Sequence, residues 1–532
     1  MMPAPTSRSL APMRITFLGH VGMYVETRHG SVLCDPWFTP AYFGSWFPFP
    51  RNDKLDVTPF ERPDFLYISH LHRDHFDPAW LAAHVDRSAR VLLPDFKVPY
   101  LEQELTALGF TEFVRCPNGE VVDLGGLQVA ILAQNEPADG PLGDSAIVIA
   151  DGATRILNQN DARPGSADEL RRLGPFDGQF VQFSGAIWYP VAYSFPPEEK
   201  DRLAREKRSN QMDRARQYVE WVDAGAVFPC AGPPAFLDPD LFTLNDVDGD
   251  PANIFPDQLV FLDELERHGI HTGHLVVPGT VVELSPGSCE VTQPEDGSDV
   301  EPFDHKLDYL QRYAADWSAW LDGERASWST APLDLVGELR DWFEPLLAVA
   351  PATRAGVDGV VVLDVGGSGP GSGSVAIDFV AGKVREWDGE PAVYRLEVDR
   401  RLVEACVRDH LEDWVNALFL SARFTAHRTG GFNEFVMTFF KSLSPERMAF
   451  IEQTYAEGGA APDEWFERDG WRIQRYCPHR KADLVVCGEI DGTTLTCSLH
   501  HWQFDLESGR CLTSDRRNTG DQLRLDAERI DD

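Results

Sequence analysis

The chain lacks any apolar run approaching the about 18 residues that a membrane-spanning helix needs, so nothing in it is expected to cross a bilayer. It is poor in cysteine: nine residues scattered through 532 fit a reducing cytoplasm better than a secreted disulfide scaffold. Basic side chains are the minority, 48 against 85 acidic ones for a net charge of −37, with no block of like charge. An acidic field repels phosphates, which weighs against nucleic acids and anionic membranes and leaves a solvated acidic surface as the plain reading. The opening MMPAPTSRSLAPM has no apolar core of a signal peptide, and Met13 is an alternative start. A phosphate-cradling loop is missing too. The glycine-rich run at 366–373, GGSGPGSG, is followed by a strand pattern, SVAIDF, and not by a helix, so it reads as a hairpin loop.

What is present is a globular composition, 43% hydrophobic and 11% aromatic. At ~150 residues per domain the length predicts about three domains. Residues 14–35 read as two strands around a turn at Arg28–Ser31. Strand, loop and helix then recur to about residue 290, the pattern of a layered α/β domain, and a polar acidic stretch at 292–304 reads as a linker. Two helical segments, a hairpin from VDGVVVLDV and SVAIDFVAG, and a helix around LVEACVRDHLEDWVNALF make a second unit. The last part is rich in short strands and holds four of the nine cysteines. The expected domains are residues 1–300, 301–445 and 446–532.

The C-terminal segment YCPHRKADLVVCGEIDGTTLTCSLHHWQFDLESGRC contains Cys477-x-His479 and Cys497-x-x-His500, with 17 residues between the inner ligands. Two Cys and two His could hold zinc, but a zinc finger usually joins a cysteine pair to a histidine pair. Here each loop offers one thiolate and one imidazole, which suits a [2Fe–2S] cluster with both thiolates on one iron and both imidazoles on the other. From CPHR to HWQFDLESG the segment resembles the Rieske family. Against the respiratory Rieske proteins, which carry an extra disulfide between the cluster loops, the matching positions are Ala482 and Leu499. The resemblance is therefore to the oxygenase and ferredoxin branch, low in the Rieske span of ~−150 to +300 mV. His501 departs from the glycine common there, and Cys487 and Cys511 read as buried thiols.

Near the other end, SHLHRDHFD at 69–77 sets three histidines and two aspartates in nine residues after the apolar run FLYI. His-x-His-x-Asp-His after a buried strand resembles the metallo-β-lactamase fold. His70 and His72 can face one ion, and Asp74 and His75 a second, because alternate residues of an extended loop point to opposite sides. RITFLGHVGMYVETRHGSVLCDPWF resembles the opening of the hydrolase branch of that fold, with His20 near the site. Where that branch has a third histidine, this chain offers Asp144, and the bridging aspartate matches Asp161. The last histidine is missing from VFPCAGPP, which leaves Cys230. Two histidines and a carboxylate with open positions suit iron as well as zinc.

A Rieske cluster carries single electrons, so its fusion to this site implies redox chemistry there. The combination resembles the CMP-N-acetylneuraminate hydroxylase family, also at DPWFTPAYFGSWFPFP (35–50), ILNQND (156–161) and FSGAIWYP (183–190), although the animal hydroxylase carries its Rieske domain first. YRLEVDRRLVEACVRDHLEDW and GGFNEFVMTFF resemble a sterol-carrier-like domain, read as a spacer that docks the Rieske domain. Within it Asp409, His410, Glu412 and Asp413 read as the exposed face of an amphipathic helix.

The expected fold is thus multidomain α+β: a metallo-β-lactamase-like αββα sandwich, an α+β sterol-carrier-like middle domain and an all-β Rieske domain. The expected cofactors are a [2Fe–2S] cluster on Cys477, His479, Cys497 and His500, and one or two irons, with zinc the lesser choice, on His70, His72, Asp74, His75, Asp144 and Asp161. Asp74, His75 and Asp161 are the expected catalytic residues. The resemblances imply an oxygenase that hydroxylates or N-oxygenates a small polar metabolite with O2, its pocket walled by AYFGSWFPF, and the cysteine usage places it in the cytoplasm. A ferredoxin or flavin reductase would be the electron donor, with self-association left open. The competing readings are a metal hydrolase with a redox-sensing Rieske domain, and an electron carrier without catalysis.

Overall fold

Residues 14–35 form three strands where the pattern predicts two: Met13–Gly19, Gly22–Thr27 and Gly30–Cys34. The extra turn lies at His20–Val21, which hydrophobic alternation hides because both residues are buried. It is made possible by left-handed backbone at Gly19 (φ 111°) and His20 (φ 56°). The computed structural model describes residues 11–135, 142–185, 187–297, 299–328, 332–366, 373–457, 464–478, 482–499, 501–513 and 524–530. The glycine-rich hairpin loop falls almost wholly outside them, as do His479 and His500.

These three strands belong to an eight-stranded sheet that runs, edge to edge, Ser288–Thr292, Val281–Ser285, Met13–Gly19, Gly22–Thr27, Gly30–Cys34, Phe65–Tyr67, Arg90–Pro94 and Phe113–Cys116. A six-stranded sheet runs Val227–Cys230, Gly178–Gln182, Arg155–Asn160, Asp144–Ala150, Gln128–Gln134 and Val122–Asp123. Apolar side chains of both, among them Phe17, Val25, Ile131, Ile147 and Phe180, form one core between the sheets. Helices Pro78–His84 and Tyr100–Ala107 cover the outer face of the first sheet. Ala167–Leu173, Pro197–Val222 and Gln258–Arg267 cover the second. The result is the αββα sandwich, whose strand ends converge on one edge.

Helix Lys306–Ser327 packs on this sandwich through Tyr309 and Tyr313, against Phe49 and Phe47. The middle unit is a five-stranded sheet, Lys383–Glu386, Val375–Asp378, Val360–Asp364, Tyr394–Val398 and Phe424–Arg428, backed by helices that include Leu335–Ala348 and Pro445–Glu457. The last of these helices, which the sequence places with the C-terminal domain, joins the core of the middle unit through Met448, Ile451 and Tyr455. Asp409, His410, Glu412 and Asp413 of VRDHLEDW are not on a helix: helix Arg400–Arg408 ends just before them, His410 is left-handed (φ 47°), and a five-residue π-turn, Val415–Phe419, follows. Among the described residues, the C-terminal unit has two three-stranded sheets and one short helix, Leu484–Cys487. No helix among the described residues is long and apolar enough to cross a membrane.

Candidate metal centre

The loop that leaves strand Phe65–Tyr67 carries Ser69, His70, His72, Asp74 and His75. It is anchored by Asp35, which is fully buried at the end of the neighbouring strand Gly30–Cys34. One Asp35 oxygen accepts the Ser69 backbone N–H at 2.7 Å, and the other accepts the Ser69 hydroxyl at 2.6 Å and faces His75 Nδ1 at 3.0 Å. His70 is held in the same way, with Nδ1 2.9 Å from Ser69 Oγ and 3.3 Å from an oxygen of Asp144. In both rings Nε2 is buried and has no hydrogen-bond partner. A buried orphan nitrogen opposite a carboxylate-bound one is the usual arrangement of a metal-ligating imidazole, and an unpaired one without an ion would be costly.

Two groups of ligand atoms, each within 4.8 Å of one another, lie in this cleft: His70, His72 and Asp161, and His20, His75 and Asp161. Asp161 is common to both. It follows strand Arg155–Asn160, whose last residue is left-handed (φ 43°), and Gln182 Nε2 donates to its Oδ1 at 2.5 Å. The pairing expected from the sequence thus changes on one side. His70 and His72 stay together, but His20 and not Asp74 accompanies His75.

Asp74 Oδ1 accepts the Tyr42 hydroxyl at 2.5 Å, and Oδ2 lies 3.1 Å from His20 Nε2 and 3.8 Å from His75 Nε2. It is therefore beside the second group and outside both. Asp144 is outside both as well: its Oδ1 accepts the Ser145 N–H at 2.7 Å and faces the far side of the His70 ring at 3.3 Å. Cys230 is fully buried beside the site and is in neither group. Its neighbour Ala231 donates its N–H to the His20 carbonyl at 2.8 Å, which helps hold the His20 turn.

The electrostatics favour a cation. Burial lowers His70 well under the usual imidazole range and lowers His72 as well, although Asp74 and Asp161 oppose it there, which favours neutral rings able to bind through nitrogen. Burial opposes charge on His75 as well, but Asp161, Asp74 and Asp35 outweigh it and raise that ring. Burial would raise Asp74, yet the three neighbouring imidazoles, His75, His20 and His72, hold it far below the ordinary carboxylate range. Burial, with Asp161 and Asp35 nearby, keeps the Cys230 thiol protonated. Trp37, Tyr42 and Trp46, from the aromatic stretch at 35–50, are buried around this cleft; Trp37 lies edge-on to His20 at 5.0 Å and Tyr42 to Trp46 at the same distance. Asp413 of the middle domain is close enough to act on His72 electrostatically, so it is not simply a solvated charge.

Of the sequence-predicted ligands, His70, His72, His75 and Asp161 meet in one place. His20, Asp35, Tyr42 and Gln182 complete it. At the other centre Cys477 and Cys497 are both fully buried in one apolar cluster with Ala482 and Leu499. Cys477 N–H donates to the Ala482 carbonyl at 2.8 Å, closing the first loop, and the His501 N–H donates to the Cys497 carbonyl, closing the second. His501 is left-handed (φ 55°), the conformation for which glycine is the usual residue. Cys487 and Cys511 are both buried.

A Rieske [2Fe-2S] domain family matches residues 469–523, and an Rv3818-like, SCP2-like domain family matches 335–457. The chain is 44% identical over 510 residues to a protein of Mycolicibacterium smegmatis provisionally named a Rieske 2Fe-2S iron-sulfur protein, spanning 94% of this chain and 98% of the relative. It is 27% identical to a 4-amino-L-phenylalanyl peptidyl-carrier-protein 3-hydroxylase of Streptomyces venezuelae, over 42% of this chain and 45% of that one. To the cytidine monophosphate-N-acetylneuraminic acid hydroxylase of Mus musculus it is 25% identical, over 43% and 40%. Among solved structures, CmlA, a diiron β-hydroxylase from Streptomyces venezuelae, aligns over 55% of each chain at 21% identity with a TM-score of 0.35.

Proposed function

Because the chain belongs to the Rieske 2Fe-2S iron-sulfur protein family found in Mycolicibacterium smegmatis and Mycobacterium tuberculosis, we propose that it is an iron-dependent oxygenase. It inserts oxygen from O2 into a C–H or N–H bond of a small polar metabolite, using electrons that enter through its Rieske domain. The observation that carries this reading is the shared carboxylate. Asp161 closes two groups that each contain two imidazoles, so a pair of ions would each have two nitrogens and one oxygen from protein, and open positions. A hydrolytic zinc pair of this fold usually has more histidines, and hydrolysis has no use for an electron carrier in the same chain.

Iron in such a donor set supplies O2 activation when loaded and reduced. His70 and His72 would hold one ion and His20 and His75 the other, with Asp161 between them. Asp35 and Asp144 fix the ring orientations from behind through Nδ1. Asp74 stays ionised among the imidazoles and accepts the Tyr42 hydroxyl proton in a hydrogen bond, which fixes the Tyr42 ring beside the site with its one proton committed to Asp74. The buried rings of Trp37, Tyr42 and Trp46 exclude water from this side. A ferredoxin or flavin reductase supplies electrons, since the chain has no flavin or nicotinamide motif.

Metal analysis of protein purified without oxygen tests the proposal. Four irons per chain, two of them in the cluster, and O2 uptake that depends on an added reductant are expected. Zinc in the N-terminal site of active material, or hydrolysis with no O2 uptake, would overturn it.

A further inference from the structure

The C-terminal domain rests on the first domain at the very stretch that leaves Asp161. Four residues on, the Gly165 carbonyl accepts the backbone N–H of Asp483 at 3.0 Å. Asp483 follows Ala482, whose carbonyl accepts the N–H of the cluster cysteine Cys477. Asp483 is itself fixed: it is buried, its carboxylate receives Arg475 Nη2 at 2.7 Å, and it caps the short helix Leu484–Cys487 through the Val485 N–H.

A second contact runs beside the first. The Tyr218 hydroxyl donates to the Pro164 carbonyl at 2.9 Å, one residue before Gly165, and its buried ring lies within electrostatic reach of Cys487 and Cys497. Gln217 Nε2 donates to Ser498 Oγ at 3.0 Å, next to Cys497. Cys477, Cys497 and Leu499 share one apolar cluster with Ala162 and Tyr218, so the junction is packed. Two hydrogen bonds and two short runs of peptide therefore join the backbone of a cluster cysteine to the carboxylate common to both metal groups, all inside one chain.

We propose that electrons travel within a single chain, from the cluster at Cys477 through Ala482, Asp483 and Gly165 to the ions at Asp161, without a second subunit. This rests on the oxygenase reading. In each transfer the reduced iron–sulfur pair loses one electron and one ferric ion at Asp161 becomes ferrous. No bond is made or broken, and an external ferredoxin or flavin reductase refills the cluster. Covalent and hydrogen bonds carry electronic coupling better than an open gap, and the route contains no gap wider than a hydrogen bond.

The test follows the cluster's own absorption after it has been reduced by one electron in protein with its N-terminal irons oxidised. In the intact chain the colour should return in a first-order phase whose rate does not change on dilution. A cluster-less chain (Cys477→Ser, or Cys497→Ser should the first not fold) is then co-expressed with a chain that lacks the N-terminal irons (Asp161→Ala), and the return should be lost. Return in that mixture as fast as in the intact chain would overturn the single-chain route. Absence of any return in the intact chain would overturn the oxygenase reading itself, so the two failures are distinct.

Discussion

Asp35 Oδ2 lies 3.0 Å from Nδ1 of His75, and both side chains are wholly buried. The carboxylate therefore sets which nitrogen of the ring is left to face Asp161. Asp35→Asn cannot serve both Ser69 and His75 as an acceptor in the same way, and loss of such an outer partner costs about 10–100-fold in metal affinity. Competition with a chelator should show the N-terminal site weakened to this extent while the cluster absorption is unchanged.

The sharing of Asp161 makes a stoichiometric prediction. Asp161→Ala should remove both N-terminal irons, because each group loses a ligand. His20→Ala should remove only the one paired with His75. Iron per chain, after subtraction of the two cluster irons from the visible spectrum, separates the cases; equal losses would sink the assignment.

Cys230→Ala should leave iron content as it is. The thiol is protonated and lies outside both groups, although the sequence places it where a last histidine ligand would stand. A drop in iron would make Cys230 a ligand.

Asp238 joins the first and middle domains. It is fully buried and pairs with Arg423 at 2.7 Å and with Arg325. Asp238→Ala strands the buried Arg423 and should destabilise the protein by about 3–5 kcal/mol, seen as an earlier thermal transition. Burial would raise the Asp238 carboxyl, but Arg423 and Arg325 hold it below the ordinary aspartate range. Its folded pKa is thus depressed, so its contribution is full above the unfolded value of ~3.9 and is lost as pH falls toward the folded one. Acid titration of Asp238→Asn should show a shallower loss of stability below about pH 4 than the parent chain.

The parts legible in the sequence were those whose residues are neighbours in it. The cluster cysteines and the His70–His75 loop announce themselves by spacing, and the αββα order follows from the alternation of strand and helix. His20 is different. It lies fifty positions before His70 and enters the site through a turn that alternation cannot show, since both flanking strands and the turn are buried. Asp144 and Asp74 have the right chemistry and proximity, but a spacing rule cannot tell the inner side of an imidazole from the outer. VRDHLEDW has helical periodicity, and the left-handed His410 breaks it.

His20, Asp35, Tyr42, Asn160 and Ala231 all border the site, and all have left-handed backbone although none is glycine. Each such residue carries a torsional load of about 1–3 kcal/mol that the surrounding sheets must hold. The chamber is consequently a sprung frame. Branched side chains such as valine or isoleucine are shut out at five of its corners by main-chain sterics alone, which narrows the routes by which this scaffold can be remodelled for other chemistry far more than its ligands do.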